Sequence, residues 1–222
     1  MENDNKKLII YGIGKLAEYV QYVFENDSKY EVIGFCIEKS LKEKNRIHNL
    51  PLYSLEGLEN TFEENLPYLF VAVGNNAVRK RIFTHIKREG FEFARYISRK
   101  ASTWPNLITG ENVFIGEGSI IQPFVKIGDN SLHFGSRIGH HSEIHSHTLL
   151  SGTTIGGNTQ IGEESYLGMN SAIKQNLVIG KRNIIGMNVS IEKNTTEGAV
   201  FAQSSNPPRK ISYEQVTKRF LL

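Results

Sequence analysis

The sequence has one cysteine, no long apolar stretch and little net charge, and each shortage excludes a class of protein. A single cysteine, Cys36, cannot form an intrachain disulfide, and it favours a reducing compartment. The longest uninterrupted apolar run, residues 69–73, is too short to span a bilayer. The net charge of +3 is unclustered and gives no reason to expect a nucleic-acid partner. Residues 1–7 carry charges of both signs, so no signal peptide is predicted and a cytoplasmic protein is expected.

What the sequence does contain is a period of six residues, sustained from residue 115 to residue 197. Apart from two short steps, an aliphatic side chain returns at every sixth position, and a glycine often follows it. Four positions after the aliphatic residue, a small or medium side chain recurs. The repeated aliphatic residues are Ile115, Ile121, Ile127, Ile138, Ile144, Leu150, Ile155, Ile161, Leu167, Ile173, Ile179, Ile185 and Ile191.

A period of six over this length predicts a solenoid of the parallel β-helix kind. Each hexapeptide is expected to form a short strand and a tight turn, with the aliphatic side chain pointing into a narrow interior. An α-helix does not fit, because its period of about 3.6 residues drifts out of register within two turns. The alternative is a β-sandwich with frequent turns, but sandwich strands do not repeat at strict sixes.

The residues before the repeat follow a different pattern. An apolar run at residues 8–11, a glycine turn, a stretch with helical spacing and a second apolar run at 31–37 predict a βαβ unit. Further strands are predicted at 69–73 and 91–97, with a basic helix between them, whereas residues 38–64 predict a loop with one short helix. We therefore predict a small α/β domain over residues 1–97, an all-β parallel β-helix over 98–202 and a C-terminal tail over 203–222.

The turn after the first strand fits the pattern G-x-G-x-x-A, which is typical of phosphate binding between a strand and a helix. Backbone N–H groups at such a helix start attract anions, so Gly12, Gly14 and Lys15 are predicted to contact a phosphorylated substrate. Glu38, near the end of the second strand, lies where an acidic residue meets a ribose hydroxyl. Glycines that only allow a tight turn are the alternative.

A second candidate site follows the strand at 69–73. Gly74, Asn75 and Asn76 lie at the carboxyl end of that strand, where ligands bind in open α/β sheets, and Arg79 follows one helical turn later. The two asparagine amides suit a pyrimidine base or sugar hydroxyls. Capping of the next helix by Asn76 is the alternative, and it is compatible with binding.

Histidines form the densest polar cluster of the chain. His140, His141, His145 and His147 follow His133 within the repeat. On the turns of a β-helix such side chains are expected to face outward, where they can act as bases or ligands. Surface histidines without a function are the alternative.

The whole chain resembles the bacterial nucleotide-sugar acetyltransferases, a hexapeptide-repeat family that includes amino-sugar N-acetyltransferases and sialic acid O-acetyltransferases. The matching segments are Tyr11-Gly12-Ile13-Gly14, Val71-Ala72-Val73-Gly74-Asn75-Asn76, Ile138-Gly139-His140-His141-Ser142 and Ser205-Asn206-Pro207-Pro208. The resemblance implies a half-Rossmann domain followed by a left-handed parallel β-helix. It also implies an acetyl-CoA-dependent transferase of glycan biosynthesis that acts on a UDP- or dTDP-linked amino sugar.

The resemblance further implies roles for particular residues. His140 would be the general base, with His141 as its rival, and the backbone N–H of Gly157 would face the thioester oxygen. The first domain would hold the nucleotide, and acetyl-CoA would lie along the β-helix between neighbours of a homotrimer. The expected acetyl-CoA contacts are Gly157, Gly168, Lys174 and Gly186.

The chain departs from the family pattern in three places. Many members have an acidic residue beside the catalytic histidine, whereas the neighbours here are Gly139 and His141, which leaves Glu143 as a weak candidate for orienting the base. Lys15-Leu16 replaces a common Gly-His pair, and Ile37 replaces a common aspartate. These differences bear on the identity of the sugar and the nucleotide.

Three other functions compete with sugar N-acetylation. Sugar O-acetylation, of the sialic acid type, would use the same groups. A zinc enzyme similar to the γ-class carbonic anhydrases would use the His140 and His145 spacing, but a catalytic zinc needs three ligands and no histidine stands near Trp104, where the third is expected. A non-catalytic scaffold would leave the histidines unexplained. We therefore predict no metal.

Overall fold

The computed structural model describes residues 6–62 and 65–204. The N-terminal unit is a five-stranded sheet in the order β3-β4-β2-β1-β5, in which only β3 runs antiparallel to its neighbour. Its elements are β1 (Lys6–Tyr11), α1 (Lys15–Asp27), β2 (Tyr30–Ile37), β3 (Arg46–Ile47), β4 (Leu50–Ser54), α2 (Leu58–Phe62), β5 (Tyr68–Val71) and α3 (Asn76–Arg88).

Alternating side chains of the central strands build two cores, one on each face of this sheet. Leu8 and Ile10 of β1 pack with α1, whereas Ile9 and Tyr11 pack with α2 and α3. Side chains of a strand alternate between faces, and β1 is apolar on both because helices cover both sides. The sequence predicted this α/β arrangement but missed β3 and β4, because their residues fall in the polar stretch interpreted as a loop.

The C-terminal unit is a three-sided left-handed parallel β-helix, as the resemblance predicted. One side, the docking face, contains β6 (Tyr96–Ile97), β8 (Phe114–Ile115), β11 (Leu132–Phe134), β14 (Leu149–Ser151), β17 (Tyr166–Leu167), β20 (Ile184–Ile185) and β22 (Val200–Phe201). The second face contains β9 (Ile120–Ile121), β12 (Arg137–Ile138), β15 (Thr154–Ile155), β18 (Ala172–Ile173) and β21 (Ser190–Ile191). The third face contains β7 (Ile108–Thr109), β10 (Lys126–Ile127), β13 (Glu143–Ile144), β16 (Gln160–Ile161) and β19 (Val178–Ile179).

The interior of the β-helix explains the period of six. Each two-residue strand directs its second side chain inward, so the repeated aliphatic residues form one continuous core. Full burial of each such side chain contributes roughly 1.5–3 kcal/mol. Hydroxyl pairs fill the interior near the corners, as between Thr153 Oγ1 and Ser171 Oγ at 2.7 Å. Asn158 and Asn176 occupy corner positions with φ of 56° and 63°, a left-handed conformation that asparagine tolerates.

The candidate functional groups of the β-helix lie at the three corners between its faces, and each corner is named after a feature that it carries. The histidine corner joins the second face to the third. The helix corner joins the third face to the docking face and contacts α3. The glycine corner joins the docking face to the second face and includes Gly168 and Gly186.

The N-terminal unit sits on the docking face. Phe114, Leu132 and Leu149 point outward from successive coils and are buried in the same core as α1 and the adjacent sheet face. The connection runs through residues 91–97, where Phe93 bridges to β5 and Tyr96–Ile97 already pairs with β8. The predicted last strand of the first domain is therefore shared between the two units.

No helix among residues 6–62 and 65–204 is long and apolar enough to cross a bilayer. The spacing of Tyr213, Val216 and Phe220 predicts a short helix in the tail, and this segment lies outside the described residues, as does Ser205–Pro208.

Candidate active site

His140 and His141 occupy the histidine corner, held by the coil beneath them. The His140 N–H donates to Gln122 Oε1 at 2.9 Å, and the His141 N–H donates to the Pro123 carbonyl at 3.2 Å. Both side chains are exposed, as predicted for turn residues. His141 has a φ of +58°, the left-handed conformation that Phe124 and Asn158 also adopt at the same corner of the adjacent coils.

The two imidazole rings contact each other directly. Their Nδ1 atoms lie 3.1 Å apart, so one ring donates a hydrogen bond to the other. His141 also lies against the Phe124 ring, with centroids 4.6 Å apart and planes at 30°. Glu143, the weak candidate for orienting His140, instead accepts from Lys126 Nζ at 2.7 Å, and this hydrogen bond lowers the pKa of Glu143. The neighbour that contacts His140 is therefore His141.

Gly157 lies directly against His140, one coil further along the same corner. A Cβ at Gly157 would lie 2.9 Å from His140 Nε2 and from His140 Cε1, which is too close for a real side chain. The Gly157 N–H donates to no acceptor within the described part of the chain. The corner therefore combines an exposed imidazole with a free backbone donor, the pair that the resemblance assigned to base and oxyanion contact.

The four expected acetyl-CoA contacts divide between two corners. Gly157 and Lys174 lie on the histidine corner, after β15 and β18 respectively. Gly168 and Gly186 stack on the glycine corner, where a Cβ on Gly168 would lie 3.1 Å from the Gly186 carbonyl carbon. Only the first pair is close to His140, and the two corners are separated by the width of the second face.

The glycine turn of the N-terminal unit opens towards solvent at the carboxyl edge of the sheet. Gly12 has a φ of +120°, and a Cβ there would lie 3.0 Å from the Ala72 carbonyl oxygen, so glycine is required. Gly14 precedes α1 without a side-chain cap, and neither Gly14 nor Gly74 has any atom within 4 Å of a Cβ position. Because β1 pairs with β5, the structure brings Gly12, Gly14 and Gly74 together around one open edge.

Two predicted contacts at this edge already have protein partners. Lys15 Nζ pairs with Glu18 at 2.6 Å, and the Lys15 side chain is otherwise solvated. Glu38 accepts from Arg81 at 2.6 Å and from the Tyr11 hydroxyl at 3.2 Å. The Arg81 guanidinium holds the pKa of Glu38 below its usual range, so this carboxylate is ionised and still has lone pairs for a ribose hydroxyl.

The two asparagines make different contacts within the protein. Asn75, not Asn76, caps α3, because its Oδ1 accepts from the Val78 N–H at 3.0 Å. The Asn76 amide points into the β-helix and donates to the Glu164 and Ser165 carbonyls, both at 3.0 Å. Asn76 therefore joins the two units, and its contact with a ligand stays a prediction.

Arg79 is also a structural residue. It is fully buried, and its guanidinium donates to the carbonyls of Val73, Gly74, Asn130, His147 and Thr148 and to Asn76 Oδ1. Burial lowers the pKa of Arg79 to about 9, which leaves it charged at neutral pH. The carbonyl groups replace water around this charge, so Arg79 clamps α3 onto the helix corner.

Two of the five histidines are buried, which the sequence did not predict. Asn130 Nδ2 donates to His147 Nδ1 at 2.8 Å, and Asn130 Oδ1 accepts from Asn112 Nδ2 at 2.7 Å, forming a polar ladder between the units. Burial lowers the pKa of His147. His133 occupies an interior position between Ile115 and Leu150, where other coils have aliphatic side chains. Neither residue belongs to the exposed cluster.

His145 lies on the helix corner, so the strand Glu143–Ile144 separates it from His140. The two side chains that a zinc site would combine therefore leave the β-helix at different corners. Within residues 6–62 and 65–204, no three His, Cys, Asp or Glu side chains are arranged to hold a metal ion. The spacing of the histidines does not produce the convergence that a three-ligand zinc centre requires.

The glycine turn and His140 lie far apart within one chain. The N-terminal unit covers the docking face, whereas the histidine corner is the edge of the prism between the other two faces. An edge between two sides of a three-sided prism is opposite the third side. A substrate held at Gly14 therefore cannot be placed against His140 of the same chain across the β-helix.

Known proteins share this architecture. Residues 7–86 match the model of the PglD N-terminal domain. GDP-perosamine N-acetyltransferase of Escherichia coli O157:H7 is 32% identical over 117 residues, a match that spans 49% of this chain and only half of that relative. Solved acetyltransferase structures are also similar to the chain.

The acetyltransferase domain of PglB from Neisseria gonorrhoeae, in complex with acetyl coenzyme A, superposes with a TM-score of 0.79. Its identity is 23%, and the match covers 88% of this chain and 95% of that one. PerB from Caulobacter crescentus, in complex with CoA and GDP-perosamine, has a TM-score of 0.76 and 21% identity, with 87% and 92% covered. These comparisons confirm the predicted resemblance: residues 7–86 are similar to the PglD N-terminal domain, and the chain has the fold of these acetyltransferase structures.

Proposed function

We propose that this protein is an acetyl-CoA-dependent N-acetyltransferase whose substrate is an amino sugar carried by a nucleoside diphosphate. The observation that carries the proposal is the exposed pair on the histidine corner, with the His140 ring against the bare backbone of Gly157. The glycine turn supplies a place for the diphosphate at the uncapped start of α1. Support also comes from the relatives, whose names specify N-acetylation of perosamine and bound CoA.

The chemistry begins with the amine of the sugar, which is protonated in water at neutral pH and must lose a proton to attack. That first proton leaves to solvent, and His140 Nε2 can accept the second proton, which the nitrogen loses as it bonds to the acyl carbon, when Nδ1 carries hydrogen; the 3.1 Å contact with His141 Nδ1 supports this tautomer. The amine then attacks the thioester carbonyl, and the carbonyl oxygen becomes negative. The Gly157 N–H is free to stabilise that charge without rearrangement. Collapse of the intermediate breaks the carbon–sulfur bond, and His140 returns its proton to the CoA thiolate.

His141 takes the position where many relatives were expected to have an acidic residue. As His140 becomes an imidazolium, its Nδ1–H needs an acceptor, and the Nδ1 lone pair of His141 provides one. A neutral acceptor stabilises this charge less than a carboxylate does, because a carboxylate adds the attraction of its own negative charge. We assign His141 a positioning role, maintained by its contact with Phe124.

The site also requires a second copy of the chain. Because the glycine turn and His140 lie on opposite sides of one β-helix, the turn of one copy must face the histidine corner of another. A head-to-tail contact of this kind closes into a ring, and we propose the homotrimer that the sequence predicted. Beyond the N-terminal unit, the docking face exposes Tyr166, Ile184 and Val200, which are available for this contact.

The direct test is transfer itself. Purified protein is incubated with acetyl-CoA and a nucleotide-linked amino sugar, and thiol release is followed together with the mass of the sugar product. An increase in mass by one acetyl group on the amine supports the proposal. Modification of a hydroxyl in an otherwise matched sugar would favour O-acetylation, and release of thiol without any acetylated sugar would contradict both. A cytoplasmic location stays a prediction.

A further inference from the structure

A narrow cavity opens beside the glycine turn, and no function has yet been given to it. Its volume is about 180 Å³. Its apolar lining includes Ile13 from the turn itself, Ile37 at the end of β2 and Leu52 of the β3–β4 hairpin. Because Ile13 stands between Gly12 and Gly14, the cavity adjoins the turn proposed to hold the diphosphate, and its apolar lining suits a flat ring.

The polar groups that line this cavity are all charged. They are Glu43, Lys44 and Arg46. Glu43 and Lys44 form no ion pair with any of the described residues. The Arg46 guanidinium donates to the Asn49 carbonyl, which holds it at the turn of the hairpin. The cavity thus presents one free carboxylate and two cations at the edge of an apolar slot.

We infer that this cavity binds the base of the nucleotide and that Glu43 makes the site selective for guanine. The inference rests on the proposed function, which supplies the nucleotide. Guanine has two adjacent donors, N1–H and the N2 amino group, and a carboxylate accepts two parallel hydrogen bonds. Guanine also has acceptors at O6 and N7, which lysine and arginine contact well. The carboxylate of the lining therefore matches the donors of guanine, and the two cations match its acceptors.

The same lining fits uracil and thymine poorly. Each has a single N3–H donor between two carbonyl oxygens, so a carboxylate that approaches the donor also approaches two partial negative charges. The side chains that suggested a pyrimidine are already used elsewhere, Asn75 as the α3 cap and Asn76 in the contact with the β-helix. The inferred carrier is therefore GDP, in place of the UDP or dTDP that the resemblance implied.

The experiment measures nucleotide binding to the full-length protein by calorimetric titration with GDP, UDP and dTDP, without sugar or acetyl-CoA. We expect GDP to bind at least tenfold more tightly than either pyrimidine nucleotide. Glu43→Gln should weaken GDP binding roughly five- to hundredfold, the range for one bidentate base contact. Glu31→Gln is the matched control, because Glu31 is an exposed glutamate at the opposite end of β2.

Inosine diphosphate separates base recognition from general damage to the protein. Its base keeps N1–H, O6 and N7 but lacks the 2-amino group, so it should bind more weakly than GDP. Glu43→Gln should then lower the affinity for GDP more than the affinity for inosine diphosphate. Equal losses for the two nucleotides would show that Glu43 does not contact the base edge, and would overturn the inference.

The outcomes distinguish this inference from the proposed function. Tighter binding of UDP or dTDP, with acetyl transfer to the corresponding sugar, would contradict guanine selection and leave the transferase intact. Failure of all three nucleotides to bind would instead remove the nucleotide site from the N-terminal unit. Wild-type GDP affinity in Glu43→Gln would also overturn the inference, provided that Glu31→Gln behaves like the wild type.

Discussion

His140 is exposed because the corner that carries it is fixed by backbone contacts to the coils on both sides. Its N–H donates to Gln122, and its carbonyl accepts from the Asn158 N–H at 2.7 Å. The side chain itself contributes little to those contacts, so its removal should leave the coil intact. A mutation of His140 should therefore change the catalytic rate without disturbing the fold.

His140→Ala should lower kcat by about 10²- to 10⁴-fold, the usual cost of losing a general base. Affinities for acetyl-CoA and the nucleotide should change little, because the variant retains the Gly157 backbone and the glycine turn. Steady-state kinetics at several pH values measure the effect. His145→Ala is the control, since His145 is equally exposed but lies on the helix corner. Full activity in His140→Ala would falsify the mechanism.

His133 is a polar residue at an interior position of the β-helix where neighbouring coils have aliphatic side chains. Its side chain is fully buried, and neither ring nitrogen has a hydrogen-bond partner among the described residues. Burial lowers the pKa of His133 to about 3, and the charge of Arg79 acts in the same direction. The ring is therefore neutral in the folded protein, and each unpaired buried polar group costs about 1–3 kcal/mol.

Acid should consequently weaken the fold through His133. An unfolded chain binds this proton near pH 6.5, whereas the folded chain does not until about pH 3. The stabilisation is complete above pH 6.5 and is lost as the pH falls, by up to about 1.4 kcal/mol per unit. His133→Leu should raise the free energy of unfolding at pH 7 and remove this slope, as measured by urea denaturation between pH 7 and pH 5. An unchanged slope would show that His133 is not the titrating group; His145→Leu is the control.

At the scale of elements, the turn between β1 and α1 distinguishes two glycines that look equivalent in sequence. Gly12 is required by its backbone, whereas Gly14 has an ordinary φ of −85° and empty space around its Cβ position. A side chain at Gly14 should thus be tolerated by the fold and occupy only the space of a ligand. A side chain at Gly12 would instead disturb the fold, so its effect on ligand binding could not be measured separately.

Gly14→Val should raise the KM for the nucleotide sugar at least tenfold while acetyl-CoA binding and thermal stability stay near wild-type values. The physical reason is that two methyl groups would stand where a phosphate approaches the backbone. Gly12→Ala should instead lower the melting temperature, because of its positive φ and the Ala72 contact. Equal weakening of both substrates in Gly14→Val would contradict the division of binding between the two units.

Helix α3 depends on a buried charge for its place on the helix corner. Arg79→Met should destabilise the protein by about 3 kcal/mol or more, because several buried carbonyls would lose their donor together. Arg81→Met, two residues along the same helix, removes an exposed ion pair with Glu38 and should cost about 1 kcal/mol at most. Guanidinium denaturation of both variants measures the difference. Comparable losses would argue against the clamp.

At the scale of the whole molecule, a site shared between copies predicts complementation. His140→Ala and Gly14→Val are each expected to be defective alone, but a mixed trimer contains sites with an intact turn from one copy and an intact histidine from the next. Random mixing of equal amounts should restore about a quarter of wild-type sites. Co-expression with two affinity tags, followed by kinetic assay, measures this recovery.

Two results would contradict the shared site. No recovery in mixed oligomers would place the turn and the histidine within one copy, against the arrangement of the faces. Sedimentation of an active monomer at micromolar concentration would do the same. An active dimer would keep the shared site but change the symmetry of the proposed assembly.

The sequence by itself determined the architecture, because a period of six residues specifies the strand and the turn of every coil. Each repeated aliphatic side chain must be buried, and each glycine or asparagine allows a turn. The coils stack because a single coil cannot bury its own apolar side chains. It also predicted the exposed pair His140 and His141, since their position after an aliphatic–glycine step places them on a corner. These inferences needed only local spacing.

Only the tertiary structure decided what the contacts between the two units do. The roles of Asn76, Arg79 and His147 depend on residues about 60–90 positions away, and no local pattern distinguishes a buried arginine from a ligand contact. His133 was misjudged because a histidine at an interior position breaks the aliphatic pattern that would have revealed it. The separation of the glycine turn from His140 likewise follows from which side of the β-helix the first unit covers, a choice made by packing across the whole chain.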